Sequence, residues 1–134
     1  MPNTSTWSLA LKDILEKSLE GMSYQDIYQK SRAHLLTQKK KSADFFCRYR
    51  TTDGLMCAVG CFIPDELYDP GIEGRTVSKE WSLDTVSPWC LLRDLQCIHD
   101  ANSPDTWPAE LDELAAKWLT SYGIDLKKEQ AEAE

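Results

Sequence analysis

The sequence predicts an α+β fold in which four helices surround a small β-hairpin and a cysteine-rich turn. Four stretches repeat apolar residues at the 3.6-residue period of a helix, while residues 45–59 are rich in aromatic and small residues around an Asp-Gly turn signal. With 134 residues, the chain has the size of one domain. We expect that domain to span residues 1–124 and a charged flexible tail to cover 125–134.

Two amphipathic helices are predicted in the N-terminal third of the chain. The first covers residues 7–20 and ends at Gly21, because glycine tolerates the left-handed conformation that is common at helix ends. The second begins at Ser23, whose spacing to Asp26 is typical of a capping box, and ends at the lysines of 39–41. The predicted inner faces of the two helices comprise Leu11, Ile14, Leu15, Ser18, Leu19, Ile27, Ser31, His34 and Leu35.

A β-hairpin is predicted next along the chain. Residues 45–50 alternate apolar and basic side chains, residues 51–54 close with Asp-Gly, and residues 55–59 would form the returning strand. Gly60 interrupts that strand. Residues 64–68 favour one short helical turn with proline at its first position.

The C-terminal half predicts two further helices. One begins at Pro88 and covers residues 88–101, and the other covers residues 107–122 and is capped by Gly123. Both carry an apolar stripe on one face. The stripes comprise Leu91, Leu92, Leu95, Ile98 and His99 in the third helix, and Leu111, Leu114, Ala115, Trp118 and Leu119 in the fourth.

Zinc binding is the sharpest chemical hypothesis that the cysteines support. Cys47 and Cys57 flank the predicted turn, and Cys61 follows four residues later. His99, on the inner face of the third helix, is the candidate fourth ligand, because three thiolates and a neutral imidazole suit a closed tetrahedral zinc site. The spacing is not that of a C-x-x-C motif, so the alternative is three small buried cysteines and a hydrogen-bonded core histidine.

Other chemistry has weaker support in the sequence. A cysteine nucleophile needs a general base, and Cys97 lies only two residues before His99, which places the two side chains on different helix faces. Arg48, Tyr49 and Arg50 could stack on and pair with a base or phosphate, or could form an exposed strand face. An acidic run could hold Mg²⁺, although such a run is more often a solvated surface. It consists of Asp65, Glu66, Asp69 and Glu73, with His99 and Asp100 as further candidate ligands for Mg²⁺ or Mn²⁺.

The charge distribution could serve a protein partner with a basic surface, or it could simply keep the protein in solution. The net charge is −7, and it is uneven: residues 1–56 carry nine Lys/Arg against six Asp/Glu, a balance of +3, whereas residues 57–134 have a balance of −10. This acidity argues against direct nucleic-acid binding and suits a partner with a basic surface. The sequence has no apolar run of membrane-spanning length and no signal peptide at its start, so we expect reduced cysteines and a cytoplasmic location.

Three segments together resemble a family of small proteins found in tailed phages and prophages. They are residues 34–42, residues 47–68 and residues 91–100 with Trp107. The middle segment carries the pattern C-x-Y-R-x-x-D-G-x-x-C-A-V-G-C-x-I-P-D-E-x-Y, and the match covers about half of the chain. The resemblance implies a common core, a phage origin, and cysteines and a histidine at the positions of the proposed zinc ligands. It implies no reaction.

These observations lead to two functional hypotheses. The first is a non-enzymatic phage accessory protein that binds and modulates, most simply inhibits, a bacterial host protein or defence system in the cytoplasm of the infected cell. The second is a small-molecule or nucleotide-signal binder, or a minor enzyme. A deep pocket lined by Arg48, Tyr49 and Arg50 would favour the second hypothesis, and a flat acidic or apolar patch would favour the first.

Overall fold

The computed structural model describes residues 4–43 and 48–128, and of residues 4–10 it describes the backbone alone. All four predicted helices are confirmed. They are α1 (Thr4–Leu19), α2 (Tyr24–Gln38), α3 (Pro88–Ala101) and α4 (Trp107–Tyr122). Short 3₁₀ turns occupy much of the connection between α2 and α3, and one of them, Asp65–Leu67, lies where the sequence predicts a helical turn.

Helix boundaries follow local chemistry. The Ser23 hydroxyl accepts a hydrogen bond from the Asp26 N–H (3.0 Å), and the Asp26 carboxylate accepts one from the Ser23 N–H (3.1 Å), so the predicted capping box is formed at the start of α2. At the other end of α2, Lys39 adopts the left-handed conformation with φ of 57°. Helix α4 ends at Gly123 in the same conformation, as its position in the sequence predicts.

The prediction of a β-hairpin is wrong for the part of the chain that the structure describes. That part contains no strand, and its chain reversal shows a single antiparallel bridge between Arg50 and Met56. The turn itself is formed, because the Thr51 N–H donates to the Leu55 carbonyl (2.9 Å). Residues 45–47 of the first predicted strand lie outside the described residues.

The returning strand fails because of what its residues bury. Cys57, Ala58 and Val59 are all buried in succession, whereas a half-buried strand would expose every second side chain. The chain instead curls into the 3₁₀ turn Gly60–Phe62, and Gly60 packs directly against the backbone of Tyr49. The overall class is therefore helical over the described residues, not α+β.

The core is built mainly from α2, α3 and α4, which pack against one another, while α1 covers the 3₁₀ turns Gly60–Phe62 and Pro70–Ile72. Leu95 lies at 0% exposure in the middle of α3. Buried polar side chains join the layers: the Tyr28 hydroxyl donates to the Leu111 carbonyl (2.9 Å), and the Ser31 hydroxyl donates to the Ala58 carbonyl (2.9 Å). These bonds satisfy backbone groups that would otherwise be buried without partners.

The first residues of the predicted tail pack onto α2. Leu126 is fully buried, and Gln25 donates from its side-chain amide to the Asp125 carbonyl (3.1 Å). Because charged residues flank Leu126, the sequence pattern does not predict this apolar contact. Residues 129–134 lie outside the described part.

Candidate functional site

A cavity of about 290 Å³ opens between α3 and the irregular connection that precedes it. Its walls come from three segments that are far apart in sequence, residues 48–49, residues 73–77 and the face of α3 between residues 93 and 100, and from Val59. The site therefore depends on tertiary packing and is not formed by any one motif.

Three arginines contribute to the polar lining of this cavity. Arg48, Arg75 and Arg93 each come from a different segment, and the carboxylates of Glu73 and Asp100 also line the cavity. Arg93 Nη1 donates to the Val77 carbonyl (3.1 Å), which holds the guanidinium beside the 73–77 wall. Among the described residues, the buried Nε of Arg75 has no hydrogen-bond partner.

Glu73 joins two walls of the cavity. One carboxylate oxygen accepts from the Tyr49 N–H (3.0 Å), and the other accepts from the Arg50 N–H (3.1 Å) and the Tyr68 hydroxyl (2.7 Å). Burial, together with this hydrogen bond to Glu73, raises the pKa of Tyr68 to about 12, so the phenol stays a donor at neutral pH. The carboxylate is thus committed to holding backbone and phenol groups in place.

The structure separates the three residues that the sequence groups together. Arg48 and Tyr49 line the cavity, and the Tyr49 hydroxyl donates to the Arg75 carbonyl across it. Arg50 lies elsewhere: its guanidinium pairs with Asp65 (2.8 Å) and donates to the Ile63 carbonyl (2.9 Å). Its place among the cationic lining is taken by Arg75 and Arg93.

Sequence reasoning missed Arg75 and Arg93, although the second left a signal. Arg93, Gln96, Cys97 and Asp100 recur at the spacing of one helix face, beside the apolar stripe of α3. The Gln96 amide donates to the Asp100 carboxylate (2.7 Å) and its carbonyl oxygen accepts from the Val59 N–H (3.3 Å), so this polar face is tied to its surroundings. Arg75 lies in an irregular loop, where no periodicity marks it.

Two of the proposed zinc ligands, Cys57 and Cys61, are engaged in local contacts. The Cys57 sulfur accepts from the Gly60 N–H (3.2 Å), and the Cys61 thiol donates to the Ala58 carbonyl (3.4 Å). Burial raises the pKa of Cys57 strongly and that of Cys61 to about 12, which favours the neutral thiol at both positions. Cys47 lies outside the described residues.

His99 is buried and uses both ring nitrogens. Its Nε2 accepts from the Ser42 N–H (2.9 Å), which places the ring proton on Nδ1, and Nδ1 then donates to the Asp100 carboxylate (2.7 Å). The ring also stacks on Trp107. A metal ion would have to displace one of these hydrogen bonds. Within residues 4–43 and 48–128, no group of three or more His, Cys, Asp or Glu side chains is placed to hold a metal ion.

Zinc binding stays a prediction that metal analysis tests. If Cys47, Cys57, Cys61 and His99 hold zinc, the purified protein should contain about one equivalent, and a chelator should lower its melting temperature, as for a closed structural site. Replacement of Cys57 by serine should remove the metal, while the same change at exposed Cys97 should leave it. The hypothesis would be contradicted if the purified protein contains no metal and its melting temperature is unchanged by the chelator.

A second surface lies on α4 and the turn before it. Asp105, Asp112 and Glu113 are exposed there, and Glu110 is half-buried. Two large apolar side chains accompany them towards the end of the helix: Leu119 is 50% exposed and Tyr122 is 39% exposed. We call this the α4 surface; it comprises Asp105, Glu110, Asp112, Glu113, Leu119 and Tyr122.

In the part of the chain that the structure describes, none of the helices has the length and apolar character needed to cross a membrane. Comparisons with known protein families, with curated proteins and with solved structures gave no match.

Proposed function

We propose that this protein is a phage-encoded accessory protein that binds a bacterial host protein and modulates it, most simply by inhibition, without catalytic turnover. Its place of action is the cytoplasm of the infected cell, and its partner there presents a basic surface. The observation that carries this proposal is the α4 surface: α4 and the turn before it expose the carboxylates of Asp105, Asp112 and Glu113, and α4 also exposes the large apolar side chains of Leu119 and Tyr122.

The composition of the α4 surface fits a docking site. Acidic side chains at a rim steer a basic partner and raise the association rate, while apolar and aromatic groups supply contact area. Leu119 and Tyr122 are two of the four large apolar side chains that are exposed among the described residues. One of the carboxylates, Asp112, already pairs with Lys127 (2.8 Å), which leaves Asp105, Glu110 and Glu113 as the better choices for substitution.

The first experiment changes the charge of the α4 surface. The partner is captured from bacterial lysate and purified, and its association is then measured by biolayer interferometry at several salt concentrations. The triple variant Asp105→Lys, Glu110→Lys, Glu113→Lys should slow association by about tenfold or more at low salt, because electrostatic steering is lost. The wild-type rate should fall as salt increases.

A matched control separates this surface from net charge. The triple variant Asp13→Lys, Glu20→Lys, Glu66→Lys has the same charge change at exposed positions outside α4. It should associate within about twofold of the wild-type rate if steering is local. Inhibition of the partner should require equimolar protein. Equal slowing by both triple variants, or loss of partner activity at trace amounts of protein, would contradict the proposal.

A second candidate function is the binding of a small anionic molecule. The observation that favours it is the cavity lined by Arg48, Arg75 and Arg93 in a protein whose net charge is −7. The lining also includes the carboxylates of Glu73 and Asp100, so three cations stand against two carboxylates, and an anionic ligand would offset the remaining positive charge. The cavity and the α4 surface are different features, so one protein could use both.

A further inference from the structure

We propose that the arginine-lined cavity binds the phosphate group of a small phosphorylated molecule of about mononucleotide size. This inference rests on the second candidate function and names its ligand class. It is independent of the α4 surface.

The guanidinium groups of Arg75 and Arg93 supply the recognition chemistry. An arginine presents five N–H donors in a planar fork, and this geometry matches the oxygens of a phosphate. Arg93 uses one N–H on the Val77 carbonyl, which orients the fork without exhausting it. Arg75 and Arg93 come from different segments that line the same cavity, and the bond to Val77 holds the Arg93 guanidinium beside the segment that carries Arg75, so one phosphate group could accept hydrogen bonds from both.

The buried Nε of Arg75 is an independent sign that an acceptor belongs in this cavity. A donor buried without a partner is rare in folded proteins, because desolvation is not compensated. Among the described residues, none accepts a hydrogen bond from this atom. The Glu73 carboxylate cannot easily be redirected to it, since its two oxygens already accept from Tyr49, Arg50 and Tyr68.

The size and the apolar lining of the cavity indicate a ligand larger than a free phosphate ion. About 290 Å³ is close to the lower end of small-molecule sites, which run from about 300 to 1,000 Å³, and it exceeds what one inorganic anion fills. Val59 and Val77 form apolar parts of the wall, and the hydroxyl of Tyr49 is occupied by the Arg75 carbonyl, so the rest of that ring adds apolar surface. A phosphate attached to a compact, partly apolar body fits this lining.

Isothermal titration calorimetry of the full chain with four probes tests the ligand class. The probes are adenosine monophosphate, adenosine, inorganic phosphate and succinate, at low ionic strength. Adenosine monophosphate should bind at least about tenfold more tightly than adenosine or inorganic phosphate, because it alone engages both the arginines and the apolar wall. Succinate that binds as tightly as adenosine monophosphate would overturn the phosphate assignment while leaving small-anion binding intact.

Substitution of Arg75 tests the location. Arg75→Gln should weaken adenosine monophosphate binding by about tenfold or more, because charge-assisted hydrogen bonds to phosphate are lost. The variant should fold, since the contact between Tyr49 and residue 75 uses the backbone carbonyl of residue 75. Arg32→Gln is the matched control: Arg32 is partly exposed on α2, outside the cavity, and its loss should change the affinity by no more than about twofold.

Two further measurements, NMR chemical shifts and the affinity of the α4 triple charge variant, show whether the cavity is the binding site. In NMR spectra, added adenosine monophosphate should shift the amide signals of residues 74–77 and 93–97, which needs no variant to fold. The α4 triple charge variant should keep its affinity for this probe. If no probe binds at millimolar concentration, both the phosphate assignment and the second candidate function fail. If the shifted amides lie elsewhere, the cavity is not the site.

Discussion

Replacing Gly60 with alanine is expected to destabilise the protein by about 3 kcal/mol or more. A Cβ atom at this position would overlap the carbonyl oxygen of Tyr49 and lie 2.8 Å from its carbonyl carbon. Both neighbours are backbone atoms, so neither can rotate away as a flexible side chain would. The change would push the chain reversal apart beside the cavity. Urea unfolding followed by circular dichroism measures the loss directly.

Gly54→Ala is the matched control for this prediction. Gly54 has φ of 88°, but within the described structure a Cβ there would meet no atom within 4 Å. It should cost only the strain of the left-handed conformation, about 1–2 kcal/mol. If Gly60→Ala is as stable as the wild type, or no less stable than Gly54→Ala, the close packing of Gly60 on Tyr49 is not a feature of the folded protein.

Leu95→Ala should cost about 2–5 kcal/mol, which is the range for removing a buried leucine side chain from a core. Leu95 is 0% exposed on α3, the helix that packs against both α2 and α4. The void left by the truncated Leu95 side chain would be bordered by helices that cannot easily close over it. For a domain of this kind the loss is a large part of the total stability of about 5–15 kcal/mol.

Leu119→Ala provides the comparison for Leu95. Leu119 is 50% exposed on α4, so its truncation should change the free energy of unfolding by no more than about 0.5 kcal/mol. Thermal unfolding of the two variants side by side gives the contrast. Equal effects for the two leucines would show that α3 is not the centre of the core.

The helices could be predicted because their signals are local. Apolar spacing, the Ser23–Asp26 capping box and the glycine at 123 each act within a few residues, and the structure has all of them. The hairpin prediction relied on the same kind of local signal, the Asp-Gly turn, and the turn is present. The strand after it failed because Gly60 packs on Tyr49 and because residues 57–59 are all buried, and both are tertiary effects.

Local sequence signals also fail to predict most of the candidate site. The sequence predicts that Arg48, Tyr49 and Arg50 act together. In the structure, however, Arg50 pairs with the exposed carboxylate of Asp65, outside the cavity. Arg75 enters the cavity because Glu73, two residues earlier, fastens its loop to the 49–50 backbone. No spacing rule connects positions so far apart. The polar face of α3 that contains Arg93 was visible in the sequence, but its partner walls were not.

The bonds made by Glu73 act as a non-covalent cross-link within the chain. They join residues that are 24 and 23 positions apart, and so they close a loop of the chain at its two ends. The free-energy cost of closing a flexible loop, which is entropic, grows slowly, by about 0.6 kcal/mol for each doubling of the loop's length. Residues 52–54, exposed at the tip of the chain reversal, therefore form a place where the chain could accept inserted residues while both walls of the cavity keep their positions.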